Sequence, residues 1–347
     1  MKRQLIVIIS IGMSMGAVAA LPSYRCERLR VKADDLDVRP AAVNSRGEIV
    51  GTVRPDAPPD AIAYRWGKNL GASRLTRRKR ESYASALNDA GQVVGTAVRK
   101  DGRVGALTWV DGVELELQDL PGPHRNSYAF GVNNAGQIAG KSLAGGKRWH
   151  AVVWDQGSIV ELVDPNDEQD SDARHINDDG LIVGVRTVDE FHSHATSWDH
   201  GVMTDLGVLD GGARSVASAS NSHGLIVGIS NIAGGEPWLY RAVAWRSGVI
   251  TDLGLLTGAQ AGYASAVNDT GTIVGASEAF PASRTAVVWF DGAPGPVDLN
   301  SLLIEGGCTA ADGSSVKLEW AAGVNRHGQI AAYGVAEKSI GFRLTPQ

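Results

Sequence analysis

Along most of this chain, short runs of small and β-branched residues alternate with tight polar turns. One kind of run is built from small side chains, as in Tyr83-Ala84-Ser85-Ala86-Leu87 and Tyr263-Ala264-Ser265-Ala266-Val267. Each leads into an N-x-x-G turn and then a second run, such as Gln92-Val93-Val94-Gly95 or Leu181-Ile182-Val183-Gly184. A third run ends on an aromatic residue, as in Ala151-Val152-Val153-Trp154 and Ala242-Val243-Ala244-Trp245. A Gly-containing turn leads to a fourth, such as Val249-Ile250-Thr251-Asp252-Leu253. Runs this short, rich in Val and Ile and bounded by turn residues, predict strands and not helices. In the turns, Asn bonds its own backbone and Gly accepts positive φ without steric cost.

The whole unit repeats. N-x-x-G begins at Asn44, Asn88, Asn133, Asn177, Asn221, Asn268 and Asn325, with steps of 44, 45, 44, 44, 47 and 57 residues. Trp66, Trp109, Trp154, Trp198, Trp245 and Trp289 follow in turn, and Phe342 takes that place in the last unit. Four strands, here A to D, per unit of about 45 residues match a propeller blade. The fold expected is all-β, a seven-bladed β-propeller of four-stranded antiparallel blades. Strand A, with small side chains, suits the crowded axis, and the strand C aromatic fills the space where blades splay. A β-solenoid is the alternative, but its shorter rungs do not need two tight turns each. The seventh unit ends at Gly341-Phe342-Arg343-Leu344, without a strand D. Tyr24 to Leu29 is an unassigned N-terminal run, so it is expected to complete blade seven and close the ring. Cys26 then sits in the closing blade, and Cys308 in the long linker entering it. A disulfide between them is expected, with two separate thiols as the alternative.

Composition and charge place the chain. Lys2 and Arg3 precede an apolar run from Leu5 to Met15 and then Ala17-Val18-Ala19, the pattern of a cleaved signal peptide over residues 1–20. Residues 21–347 then form a single propeller domain, expected to be monomeric and extracellular or periplasmic. No other segment is long and apolar enough to span a bilayer as a helix. With 33 Lys+Arg against 38 Asp+Glu the formal charge is −5, and removal of Lys2 and Arg3 makes it −7. That balance argues against nucleic acid as a partner. Two cysteines exclude a disulfide-rich scaffold and a four-Cys zinc site.

The unit A-x-x-x-N-[DNS]-x-G-x-[IV]-[VA]-G … A-x-x-W … G-x-x-x-D-L-G resembles the bacterial extracellular HAF repeat. The likeness runs from residue 41 to 344, with Gly201-Val202-Met203-Thr204-Asp205-Leu206-Gly207 a close fit. His150-Ala151 and His194-Ala195 match the family's His-Ala before strand C; three of the other units carry Gly, Arg or Thr there. The resemblance implies export and a repeat β fold, and no catalytic activity.

Candidate chemistry lies where the repeats differ. The B–C loops and D–A linkers share one end of a meander and vary in length, so that end is the expected functional face. Strand A of blade four carries Arg174 and His175 where other blades carry small or apolar residues. His192 and His194 form an H-x-H, but no third metal ligand is near in sequence, so no metal and no cofactor are assigned. Trp149, Trp238 and Tyr240, with Phe191 and Phe280, are aromatic loop candidates for a protein or glycan. Tyr83, Tyr128, Tyr263 and Trp320 each precede their Asn by five residues and either ring the channel mouth or pack between blades. Arg74, Arg77, Arg78, Lys79 and Arg80 make a basic linker, and Asp164, Asp167, Glu168, Asp170 and Asp172 an acidic one. No G-x-S-x-G, H-E-x-x-H or P-loop is present. The primary expectation is a non-catalytic scaffold binding protein or glycan through the loop face. The alternative is a hydrolase or lyase with an axial polar or metal site near Arg174 and His175.

Overall fold

A computed structural model describes residues 21–32, 36–56, 60–76, 80–163, 167–234, 239–281 and 283–347. The expected signal peptide lies outside the described residues. Seven four-stranded antiparallel sheets circle an axis, each running A-B-C-D outward. Blade two, for example, comprises Ser82–Leu87, Val93–Val98, Val104–Val110 and Val113–Glu116. In blade seven the outermost strand is N-terminal: Tyr24–Arg28 pairs antiparallel with Ser339–Pro346, Cys26 opposite Leu344. The ring therefore closes as expected and excludes the solenoid. Among the described residues no helix is long and apolar enough to cross a membrane.

The core lies between blades. Val50 and Ala63 of blade one pack with Ala84, Leu87, Val93 and Trp109 of blade two, and the pattern recurs around the ring. The six strand C tryptophans and Phe342 are almost fully buried. Serines at the start of strand A add polar ties: Ser127 Oγ accepts from Ala106 N at 2.9 Å, and Ser171 Oγ from Ala151 N at 2.8 Å. Each bond satisfies a strand C amide of the blade before.

Strand A bulges three residues before each Asn, as between Ala84 and Ala86 or Ala173 and His175. The bulge turns the carbonyl of the residue five before Asn toward strand B. A Cβ on Gly95 would lie 2.0 Å from Tyr83 O, and one on Gly275 1.8 Å from Tyr263 O. That contact, and not turn geometry, explains the Gly that ends the repeat's strand B signature.

Cys26 and Cys308 are disulfide-bonded, with Cα atoms 5.3 Å apart and a separation of 282 positions in sequence. The bridge ties the closing strand to the linker that enters the same blade.

Candidate functional site

At the end of the channel formed by the A–B turns, the seven repeat asparagines are buried and joined in a closed ring. Each Nδ2 donates to the main-chain carbonyl of the next blade's Asn: Asn44 to Asn88 at 3.1 Å, Asn88 to Asn133 at 3.0 Å, and so on to Asn325, which donates to Asn44 at 2.7 Å. Each Oδ1 meanwhile accepts from its own turn, as Asn177 Oδ1 does from Asp179 N and Leu181 N. Asp in this place would lack the donor. The following residue adds an outer tie. Asp89, Asp178 and Asp269 accept main-chain N–H bonds from Ser45, Asn134 and Ser222 of the preceding blade.

This end holds an axial cavity of about 210 Å³, lined by the Asn turns together with His175 and Ser220. His175 occupies a place where the other blades carry Ala or Gly, and it points at blade five. Ser220 N donates to its Nδ1 at 3.3 Å, so the neutral ring carries its proton on Nε2. Burial lowers its pKa from 6.5 to about 4, with nearby Asp178 pulling the other way. On its other side the backbone packs closely against blade three: a Cβ on Gly131 would lie 3.0 Å from His175 Cα.

The opposite end, formed by the B–C loops and D–A linkers, is built differently in each blade. The residues five before each Asn are Arg39, Tyr83, Tyr128, Asp172, Val216, Tyr263 and Trp320. On blade three the Lys141 ammonium lies over the rings of Tyr128, Phe130 and Trp149 at 5.5, 5.9 and 4.9 Å, and pairs with Asp172 at 2.9 Å. Between blades six and seven, Arg284 stacks on Tyr263 at 5.7 Å and Trp320 at 5.1 Å, and pairs with Glu278 at 3.0 Å. Arg39 lies 5.9 Å from the Tyr333 ring centroid. The Tyr263–Trp320 contact at 5.6 Å joins two blades, whereas Tyr128 packs on Phe130 and Trp149 of its own blade.

The structure separates Arg174 from His175. Arg174 is the bulged residue; it is exposed and faces Asp172 at 3.6 Å, and it does not line the axial cavity. His192 and His194 also part, to Asp189 at 2.7 Å and Asp205 at 2.8 Å. Among the described residues no group of three His, Cys, Asp or Glu side chains is placed to hold a metal. Trp149 is half-buried, edge-on to Tyr128 at 5.4 Å. Tyr240 is half-buried at the start of its strand C, opposite Asn231. Trp238, Arg77, Arg78, Lys79 and Asp164 lie outside the described residues. The remaining acidic linker is held internally. Burial pushes the Asp167 carboxyl up, but the Arg186 guanidinium and Gln169 N–H prevail and hold its pKa below the usual value. Trp149 N donates to Asp170 Oδ1 at 2.9 Å. Sequence reasoning missed Lys141 and Arg284, the centres of the aromatic clusters. The available signal was a cation, Lys141 on strand B or Arg284 on strand C, in a blade whose strand A carries an aromatic five before Asn.

No protein-family model matches this sequence, and no curated protein does. Solved structures share the fold. The β-propeller domain of the trilobed protease from Pyrococcus furiosus gives a TM-score of 0.59 at 9% identity, over 89% of this chain and 97% of that one. That domain has an open velcro topology, whereas here the N-terminal strand completes the last blade. Oligogalacturonate lyase from Vibrio parahaemolyticus gives 0.57 at 8% identity, over 93% and 97%. TolB from Acinetobacter baumannii gives 0.51 at 11%, over 70% of this chain and 61% of that one, so this chain spans less than two thirds of TolB. At these identities the likeness is one of fold alone.

Proposed function

We propose that this chain is an exported, non-catalytic binding propeller whose working surface is the B–C/D–A face. The observation that carries the reading is where the sevenfold symmetry breaks. The A–B end repeats one asparagine bond seven times, as a scaffold must. The other end differs from blade to blade and gathers Tyr128, Phe130 and Trp149 around Lys141, and Tyr263 and Trp320 around Arg284. Rigid aromatic surface gives large contact area at small entropic cost. Export rests on the signal-like residues 1–20, on the Cys26–Cys308 bridge, which suits an oxidising compartment, and on the resemblance to HAF repeats.

A glycan array probed with the purified chain tests this reading. Trp149→Ala and Trp320→Ala are expected to abolish retained binding while His175→Ala leaves it intact. The reverse pattern favours the second reading, a hydrolase or lyase site at the axis. The observation on that side is that His175 shares the axial cavity with Asp89, Asp178 and Asp269. Each of those carboxylates is already tied to the neighbouring blade.

A further inference from the structure

The loops of blades two and three form one continuous surface. Arg99 Nη1 donates to Arg125 O at 3.0 Å, and Val104 N to Asn126 Oδ1 at 2.9 Å, fixing the B–C loop of blade two to the following linker. Leu143 N then bonds Asn126 O at 2.9 Å and Gly145 N bonds Pro121 O at 3.2 Å, fixing the B–C loop of blade three to the same linker. This surface presents Lys100, Arg125, Lys147 and Arg148, all exposed. Among the described residues none of these four makes an ion pair. Their neighbours are already paired: Arg99 with Asp119 at 2.8 Å and Arg103 with Asp101 at 3.7 Å. In the acidic linker alongside, Asp167 serves Arg186 and Asp172 serves Lys141, while Asp170, which accepts from Trp149 N, and the exposed Glu168 keep their charge without pairing with any of the four. In a chain of formal charge −5, four unpaired cations on one knitted surface are a local reversal of sign.

We infer that this surface binds an anionic polysaccharide, its carboxylate or sulfate groups meeting Lys100, Arg125, Lys147 and Arg148 and a sugar ring lying against Trp149. The inference rests on the loop-face reading and names its ligand class. Trp149 is held by Tyr128 and Lys141, so it is a pre-set platform. A half-buried, edge-packed indole does not insert into lipid. A duplex keeps its bases stacked on one another and offers Trp149 no free ring, whereas a sugar chain presents ring faces beside its anionic groups.

Affinity electrophoresis through dextran, dextran sulfate and alginate tests it. Dextran sulfate and alginate are expected to retard the protein, more at low salt, and neutral dextran not to. Lys147→Ala/Arg148→Ala is expected to weaken retardation about tenfold or more, as is Trp149→Ala. Arg246→Ala, an exposed cation on a C–D turn, is expected to leave it unchanged. Equal loss from Arg246→Ala, or tighter binding to duplex DNA or to phosphatidylglycerol vesicles, overturns the inference. Capture of neutral glycans through Trp149 and Trp320 without help from the four cations also overturns it, and leaves the loop-face reading standing. Carbohydrate binding lost only with His175→Ala overturns that reading itself. Because all four cations are exposed, their variants are expected to melt as the parent does, which separates lost binding from lost folding.

Discussion

Asn325 Nδ2 donates to the carbonyl of Asn44 at 2.7 Å, joining two residues 281 positions apart and closing a ring of seven equivalent bonds. The step from Asn268 to Asn325 is the longest of the repeat, yet its bond is 2.9 Å, in line with the rest. The linker insertion is absorbed outside the ring. Truncating a ring member leaves a buried carbonyl without its donor and a turn without its acceptor. Asn133→Ala is expected to cost about 1–3 kcal/mol, and Asn133→Asp more, because it sets a buried carboxylate against the carbonyl of Asn177. Denaturant unfolding of both variants checks the order.

The Cys26–Cys308 bridge closes almost the entire propeller into one covalent loop. In the chain-entropy account a loop of this size is worth about 5–6 kcal/mol. Cys26→Ser/Cys308→Ser is expected to lower the unfolding midpoint accordingly and to make it insensitive to reductant. The parent protein is expected to shift toward the variant when dithiothreitol is added. An identical midpoint with and without reductant in the parent would contradict this.

The strand B glycines give a graded test of the bulge. Gly275→Ala places a Cβ 1.8 Å from a main-chain oxygen, so the backbone must move, at a cost of about 3 kcal/mol or more. At Gly71 an added Cβ meets nothing within 4 Å, and Gly71→Ala is expected to stay within about 0.5 kcal/mol of the parent. Thermal melts of the pair separate the bulge contact from a generic effect of Gly replacement.

His175 makes stability depend on acid. Its folded pKa of about 4 lies below the 6.5 of the unfolded chain. Between these values the unfolded state binds the proton and the folded state does not. Stability is therefore expected to fall as pH drops from about 6.5 to about 4 and to level off below, by on the order of 1–3 kcal/mol. His175→Ala restores the residue type that blades one, two, five and six carry at this place, and is expected to remove that slope with little cost at neutral pH. An unchanged pH profile in the variant would assign the slope to other groups.

The blades, their number and the strand that closes them were legible because each depends on local pattern. Alternation, turn chemistry and a recurring aromatic are properties of ten or so consecutive residues, repeated seven times. The candidate surface was legible only in part. Trp149 and the inner-strand aromatics stood out as large residues near loops, but Lys141 and Arg284 read as ordinary surface cations until neighbouring strands set them over rings. Arg174 and His175 read as a pair because they are adjacent. The bulge leaves Arg174 exposed beside Asp172 and turns His175 toward blade five at the axial cavity, and a bulge leaves no mark on side-chain order.

The amino-acid order alone was enough for a closed sevenfold wheel, since repeated short-range preferences add up without knowledge of what each blade touches. What each repeated residue is for was decided only by the assembled ring. Asn44 and its six counterparts read as turn formers, which they are, but their amides also hold the next blade, and the strand B glycines read as flexible points when they are clearances. The glycines' role depends on a carbonyl 12 residues earlier in the same blade and the asparagines' on a partner about 45 residues away, or 281 for the last bond, and a side chain's identity says which groups it offers without saying which group will be there to receive them.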